Sequence, residues 1–157
     1  MSEIERLKEI VERLRAENGC PWDRVQTHES LKPEVIEEAA EVVCGINILK
    51  ETGNAENLKE ELGDLLLQVV FHAVMAQEEG LFTLDDVIKG ICEKMERRHP
   101  HVFAGVEFAS DEERHAAWEA IKKAEKEGRE WEKDYLPEAF EEARALVEQA
   151  KERKFNK

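Results

Sequence analysis

The stretch from Leu62 to Met75 constrains this chain most. Read as a helix, it is apolar on nearly every side, broken only by Asp64, Gln68 and His72. A helix that is hydrophobic all round belongs in the middle of a fold, so the pattern predicts a central, most buried helix wrapped by others. An ionised carboxylate inside it is costly to desolvate unless it is paired or bound to a cation. Asp64 is such a group, and it closes the run Glu61-Leu62-Gly63-Asp64. A second acidic run, Glu37-Glu38-Ala39-Ala40-Glu41, lies upstream in another helical stretch.

The remaining helices follow from periodicity and caps. Residues 3–17 put Ile4, Leu7, Ile10, Val11 and Leu14 on one face, and Asn18-Gly19 ends them. A second helix is expected from about 30 to 52, with Pro33 in its first turn and Gly53 as its stop. Asn54 is placed to cap a long third helix that ends at Gly80. Thr83 and Asp86 resemble a capping box for a fourth, ending near His99-Pro100. Ser110 and Glu113 form one for a fifth, ending at Gly128. Pro137 opens a last helix with Phe140, Ala143, Leu146, Val147 and Ala150 on one face. Residues 18–28 and 101–109 read as loops, with Trp22 packing the first of them onto the bundle. No alternating strand pattern is visible. The expectation is one all-α domain over residues 1–157, a bundle of about five to six helices. Its core is expected at about 19–128, with the helix at 137–154 appended.

Composition narrows the partners. The 157 residues carry a formal net charge of −14, and the pI is about 4.9. That argues against a nucleic-acid backbone or an anionic membrane as a general partner. The cysteines, Cys20, Cys44 and Cys92, are odd in number and include no C-x-x-C pair. A disulfide framework or zinc ribbon is not expected, and a reducing cytoplasm fits. The N-terminus has no signal-peptide pattern, and no apolar run approaches the roughly 20 residues that span a bilayer.

The acids carry the chemistry. On a helix, Glu34, Glu37 or Glu38, and Glu41 share one face, as do Glu61 and Asp64. Two such pairs facing each other make an all-oxygen site, which selects Mg²⁺ or Mn²⁺ over Zn²⁺. In a chain this acidic, Glu37, Glu38 and Glu41 taken alone more often mean a solvated face. Gly63 is a costly mid-helix residue, about 1 kcal/mol worse than Ala, which suggests close packing or ligand approach there. Lys94 and Arg98 share a face with Arg97 beside them, a set able to grip phosphate oxygens or simply to complement a helix C-terminus. Trp118 suits stacking on a base, or a place in the core. His72 reads as a hydrogen-bonded core residue. Glu112-x-x-His115 matches half of a di-iron motif and has no second copy.

Together with Cys20-Pro21-Trp22-Asp23, Gln26-Thr27-His28-Glu29-Ser30-Leu31-Lys32, Glu61-Leu62-Gly63-Asp64-Leu65-Leu66 and Arg97-Arg98-His99-Pro100-His101-Val102-Phe103, the acidic pattern resembles the MazG-type nucleoside triphosphate pyrophosphohydrolases. The resemblance runs from about Gly19 to Lys122, and Lys133 to Lys157 match no motif. It implies an all-α fold, Mg²⁺ with Mn²⁺ as substitute, and hydrolysis of nucleoside triphosphates to monophosphate and pyrophosphate. Broad specificity, nucleotide-pool housecleaning and a homodimer whose subunits build the site together are implied as well. Carried over by position, Glu38, Glu41, Glu61 and Asp64 are the metal ligands, and Glu37 or Glu38 orients or deprotonates the attacking water. Glu34, Asn57 and Glu60 fall on the nucleotide side, Lys94, Arg97 and Arg98 take phosphate, and Trp118 contacts the nucleotide. Apart from the resemblance, the residues also fit a non-catalytic helical interaction protein or, less well, a di-iron carboxylate bundle.

Overall fold

A computed structural model describes residues 1–156. The chain is helical throughout, with no strand among the described residues. The long helices are α1 (Glu3–Arg15), α3 (Lys32–Thr52), α4 (Glu56–Glu78), α5 (Leu84–Arg98), α7 (Asp111–Glu125) and α8 (Leu136–Phe155). This is the all-α fold expected. The helix count is higher because single turns, α2 (Pro21–Arg24) and α6 (Pro100–Phe103), form where loops were expected. Both begin on a proline, whose fixed φ suits the first helical position and whose missing N–H is not needed there. A 3₁₀ segment, Glu130–Tyr135, precedes α8. None of the described helices is long and apolar enough to cross a membrane.

The described residues fall into two compact units: residues 1–84 with the terminal segment from Ala139, and Asp85–Glu138. In the first unit, α3 and α4 pack along each other and α1 packs on α4. The core gathers Val11, Leu31, Leu84 and the α4 run Val70, Phe71, Ala73, Val74 and Met75. Only the C-terminal half of α4 is buried. Its N-terminal half leaves Leu62 and Leu66 exposed, and Val69 just past the middle is exposed as well, so the all-round apolar pattern covers two environments rather than one. Trp22 is 57% exposed and does not pack its loop down. That role falls to Arg15, whose guanidinium holds the Asp23 and Gln26 carbonyls (2.7 and 3.1 Å) and the Glu78 carboxylate (2.7 Å). His72 is hydrogen-bonded as expected, its Nδ1 lying 2.7 Å from Nδ1 of His28.

The close approach of α3 and α4 is at Gly45, not Gly63. A Cβ on Gly45 would lie 2.7 Å from the Leu58 Cα, whereas one on Gly63 would meet nothing within 4 Å. Gly45→Ala should therefore cost about 1–3 kcal/mol of stability through overpacking. Gly63→Ala should be neutral or stabilise by up to about 1 kcal/mol. Urea unfolding of the two variants checks this, and a reversed order contradicts the packing.

In the second unit, Arg97 and Arg98 close on one carboxylate of α7. Arg98 reaches Glu125 Oε2 at 2.6 Å and Arg97 reaches Oε1 at 2.8 Å. The hydrogen bond from Arg98, more than that from Arg97, holds the Glu125 carboxyl at about 2, against an ordinary 4.5. A carboxyl depressed on folding stabilises above its unfolded value, and that contribution fades as pH falls from about 4.5 towards 2. Glu125→Gln should thus lower the melting temperature at pH 7 and flatten its decline over this acid window. Parallel melting-versus-pH curves for the two chains would contradict the assignment.

Candidate metal and nucleotide site

Consecutive helices α3 and α4, joined by three residues, bring the two acidic runs face to face. One carboxylate oxygen each from Glu38, Glu61 and Asp64 lies within 4.8 Å of the others. Glu38 Oε2 is buried and has no hydrogen-bond partner. Burial first, then the charges of Asp64, Glu34, Glu61 and Glu37, push the Glu38 carboxyl above its ordinary range. Asn57, on the turn before Glu61, donates from Nδ2 to Glu61 Oε1 at 2.8 Å and so fixes that carboxylate. Carboxylate oxygens crowded this closely, on a set that includes the buried and unpartnered Glu38 Oε2, fit a hard divalent cation.

The other expected residues are placed as follows. Glu41 points to the ammonium of Lys154 on α8 instead of joining the three acids. Glu37 is held by Arg153 and by Lys154, the latter at 2.9 Å. Glu34 is half-buried and close enough to act on Glu38, while Glu60 is exposed. These contacts from α8 border a half-open cavity of about 430 Å³ whose walls include Glu37, Glu41, Glu61, Lys151 and Lys154.

In the second unit, Lys94, Arg97 and Arg98 line a cleft of about 650 Å³, joined there by Lys126 and Arg129. The indole N–H of Trp118 is buried without a partner, and Lys122 Nζ stands 5.8 Å from the ring centroid. His115 is exposed, and no histidine joins the acid cluster among the described residues. The di-iron reading therefore finds no support.

Residues 26–103 match the family described as the MazG nucleotide pyrophosphohydrolase domain. This chain belongs to the MazG family. It is 51% identical over 123 residues to the nucleoside triphosphate pyrophosphohydrolase/pyrophosphatase MazG of Thermotoga maritima, covering 78% of this chain and 45% of that protein. It is 48% identical over 127 residues to the nucleoside triphosphate pyrophosphohydrolase of Escherichia coli K12, covering 80% and 47%. An uncharacterized Bacillus subtilis protein, YabN, is 51% identical over 124 residues, covering 79% and 24%. The MazG chain described here thus spans between about a quarter and a half of the length of these curated relatives.

Three features of the structure have no signature in the sequence: Gly45 and the pair Arg153 and Lys154 in the first unit, and Glu125 in the second. The last two sit among many similar charges, and nothing in the spacing says which acid each cation meets. Only the basic final turn of α8, beyond the last recognisable motif, marks the segment at all.

Proposed function

We propose that this MazG chain hydrolyses nucleoside triphosphates to nucleoside monophosphate and pyrophosphate with Mg²⁺, Mn²⁺ serving as a substitute. The observation that carries the reading is the meeting of Glu38, Glu61 and Asp64 oxygens from two helices, at a residue, Glu38, whose Oε2 is buried and unpartnered. The names of the Thermotoga and Escherichia relatives support the reaction class.

Glu38, Glu61 and Asp64 would hold the metal, with Glu41 able to join them once freed from Lys154. A bound Mg²⁺ offsets the triphosphate's charge and makes water more acidic. The chain's own residues do the rest. Asn57 keeps Glu61 oriented. Glu37, on the turn of α3 that carries Glu38, offers a carboxylate to orient the attacking water by accepting its proton in a hydrogen bond. Lys94, Arg97 and Arg98, which the resemblance assigns to phosphate, and Trp118, which it assigns to the base, belong to the second unit. Glu34 and Glu60 border the nucleotide. A stacked base is read by its face, which suits broad specificity and a housecleaning role.

A homodimer belongs to this reading. The stripe Leu62, Leu66 and Val69 on α4 and the pair Val43 and Ile46 on α3 are exposed, between 43% and 56% each. A second copy of the chain covers them. Cysteines without disulfide partners agree with a cytoplasmic setting. Incubation with a mixture of triphosphates and Mg²⁺, followed by chromatography, tests the reaction. Monophosphate and pyrophosphate are expected, and diphosphate with orthophosphate would refute the assigned bond.

A further inference from the structure

We infer that the last turn of α8 is a wall of the substrate pocket, and that Lys154 and Arg153 are phosphate-binding residues. The inference rests on the functional reading above and deepens it. It concerns a segment that neither the acidic motifs nor the matched domain reaches, since that domain ends at residue 103.

The cavity between α3, α4 and α8 holds about 430 Å³, within the usual range for small-molecule sites. Its two sides differ in charge. Glu37, Glu41 and Glu61 stand on the α3–α4 side and Lys151 and Lys154 on the α8 side; the other six lining residues, Ile36 and Phe155 among them, are apolar. Lys154 bridges Glu37 and Glu41, and Arg153 pairs with Glu37. Opposite charges across one cavity neutralise each other when it is empty. A polyphosphate carrying a divalent cation matches both sides at once. The cation takes the carboxylates, and the phosphate oxygens take the ammonium and guanidinium. The internal ion pairs are then the resting state of the pocket, exchanged for ligand contacts when the polyphosphate binds.

This arrangement also accounts for Glu41. The resemblance makes it a metal ligand, yet its carboxylate is turned to Lys154, away from the three converging acids. A ligand that draws Lys154 onto phosphate releases Glu41 to the cation. Metal and phosphate chain should therefore bind more tightly together than either binds alone.

The test is equilibrium binding of a non-hydrolysable triphosphate analogue by calorimetry, with and without Mg²⁺. Lys154→Gln and Arg153→Gln are compared with Lys59→Gln, which removes an exposed lysine whose ionic partner among the described residues is its helical neighbour Glu56. In Mg²⁺, Lys154→Gln should weaken analogue binding by about tenfold, the loss of one charge-assisted contact. Lys154→Arg should restore most of it, and Lys59→Gln should change nothing. Stabilisation by Mg²⁺ alone should be kept or increased in Lys154→Gln, because a competing cation is gone. Unchanged analogue binding in both α8 variants, with the unmodified chain binding normally, would overturn this inference and leave the functional reading standing. Failure of the unmodified chain to bind either Mg²⁺ or analogue would overturn both.

Discussion

Asp64→Asn should lower triphosphate hydrolysis by about a thousandfold, the scale of losing charge stabilisation at a reacting centre. The exchange keeps the shape of the side chain and removes one of three converging charges. Two further consequences separate this from simple damage. Three carboxylates with oxygens within 4.8 Å repel each other when no cation is present. Removing one should therefore raise, not lower, the melting temperature of the metal-free chain. The response of that temperature to Mg²⁺ should shrink at the same time. An active variant, or one that is inactive merely because it has unfolded, would contradict the ligand assignment.

Leu66→Asp should turn the dimer into a monomer. Leu62, Leu66 and Val69 fall at helical spacing on one side of α4 and lie open in the isolated chain. Covering an apolar stripe of this kind with a second copy is favourable by about 25 cal/mol per Å². A carboxylate placed in the middle of the contact must be stripped of water without a partner, at a cost of several kcal/mol. Sedimentation at micromolar concentration should give twice the chain mass for the unmodified protein and the single-chain mass for the variant. Because Glu38, Glu61 and Asp64 meet within one chain, the melting response to Mg²⁺ should survive in the monomer. A variant that stays dimeric would place the contact elsewhere, and an unmodified chain that sediments as a monomer would remove the dimer from the account.

The helices were legible because their ends are written in local chemistry. Ser110 accepts from the Glu113 N–H at 3.2 Å, as its spacing predicts, and Gly53 closes α3 with a positive φ of 74°. Asn54 serves α4 by accepting from the Glu56 N–H at 2.9 Å. The acid pairs were legible for the same reason, since three-residue spacing alone puts Glu61 and Asp64 on one face. Tertiary matters were not. Periodicity marked Leu62 to Met75 as apolar without saying that its first half faces outward. Helix propensity marked Gly63, yet a glycine is required where another backbone arrives, and that is Gly45. The α8 face of Phe140, Ala143, Leu146, Val147 and Ala150 was visible as amphipathic; the last four are half-buried, whereas Phe140 is exposed. That its final turn would set Lys154 on Glu41 depends on how α8 lies along α3, which no local rule states.

The central claim is that Glu38, Glu61 and Asp64 form a seat for a divalent cation. Thermal unfolding across a Mg²⁺ titration tests it most directly. At a concentration about a hundred times the dissociation constant, the unmodified chain should melt roughly 5–10 °C higher, and Asp64→Asn should show no such rise. Equal shifts in the two chains, or none in either, would contradict the claim.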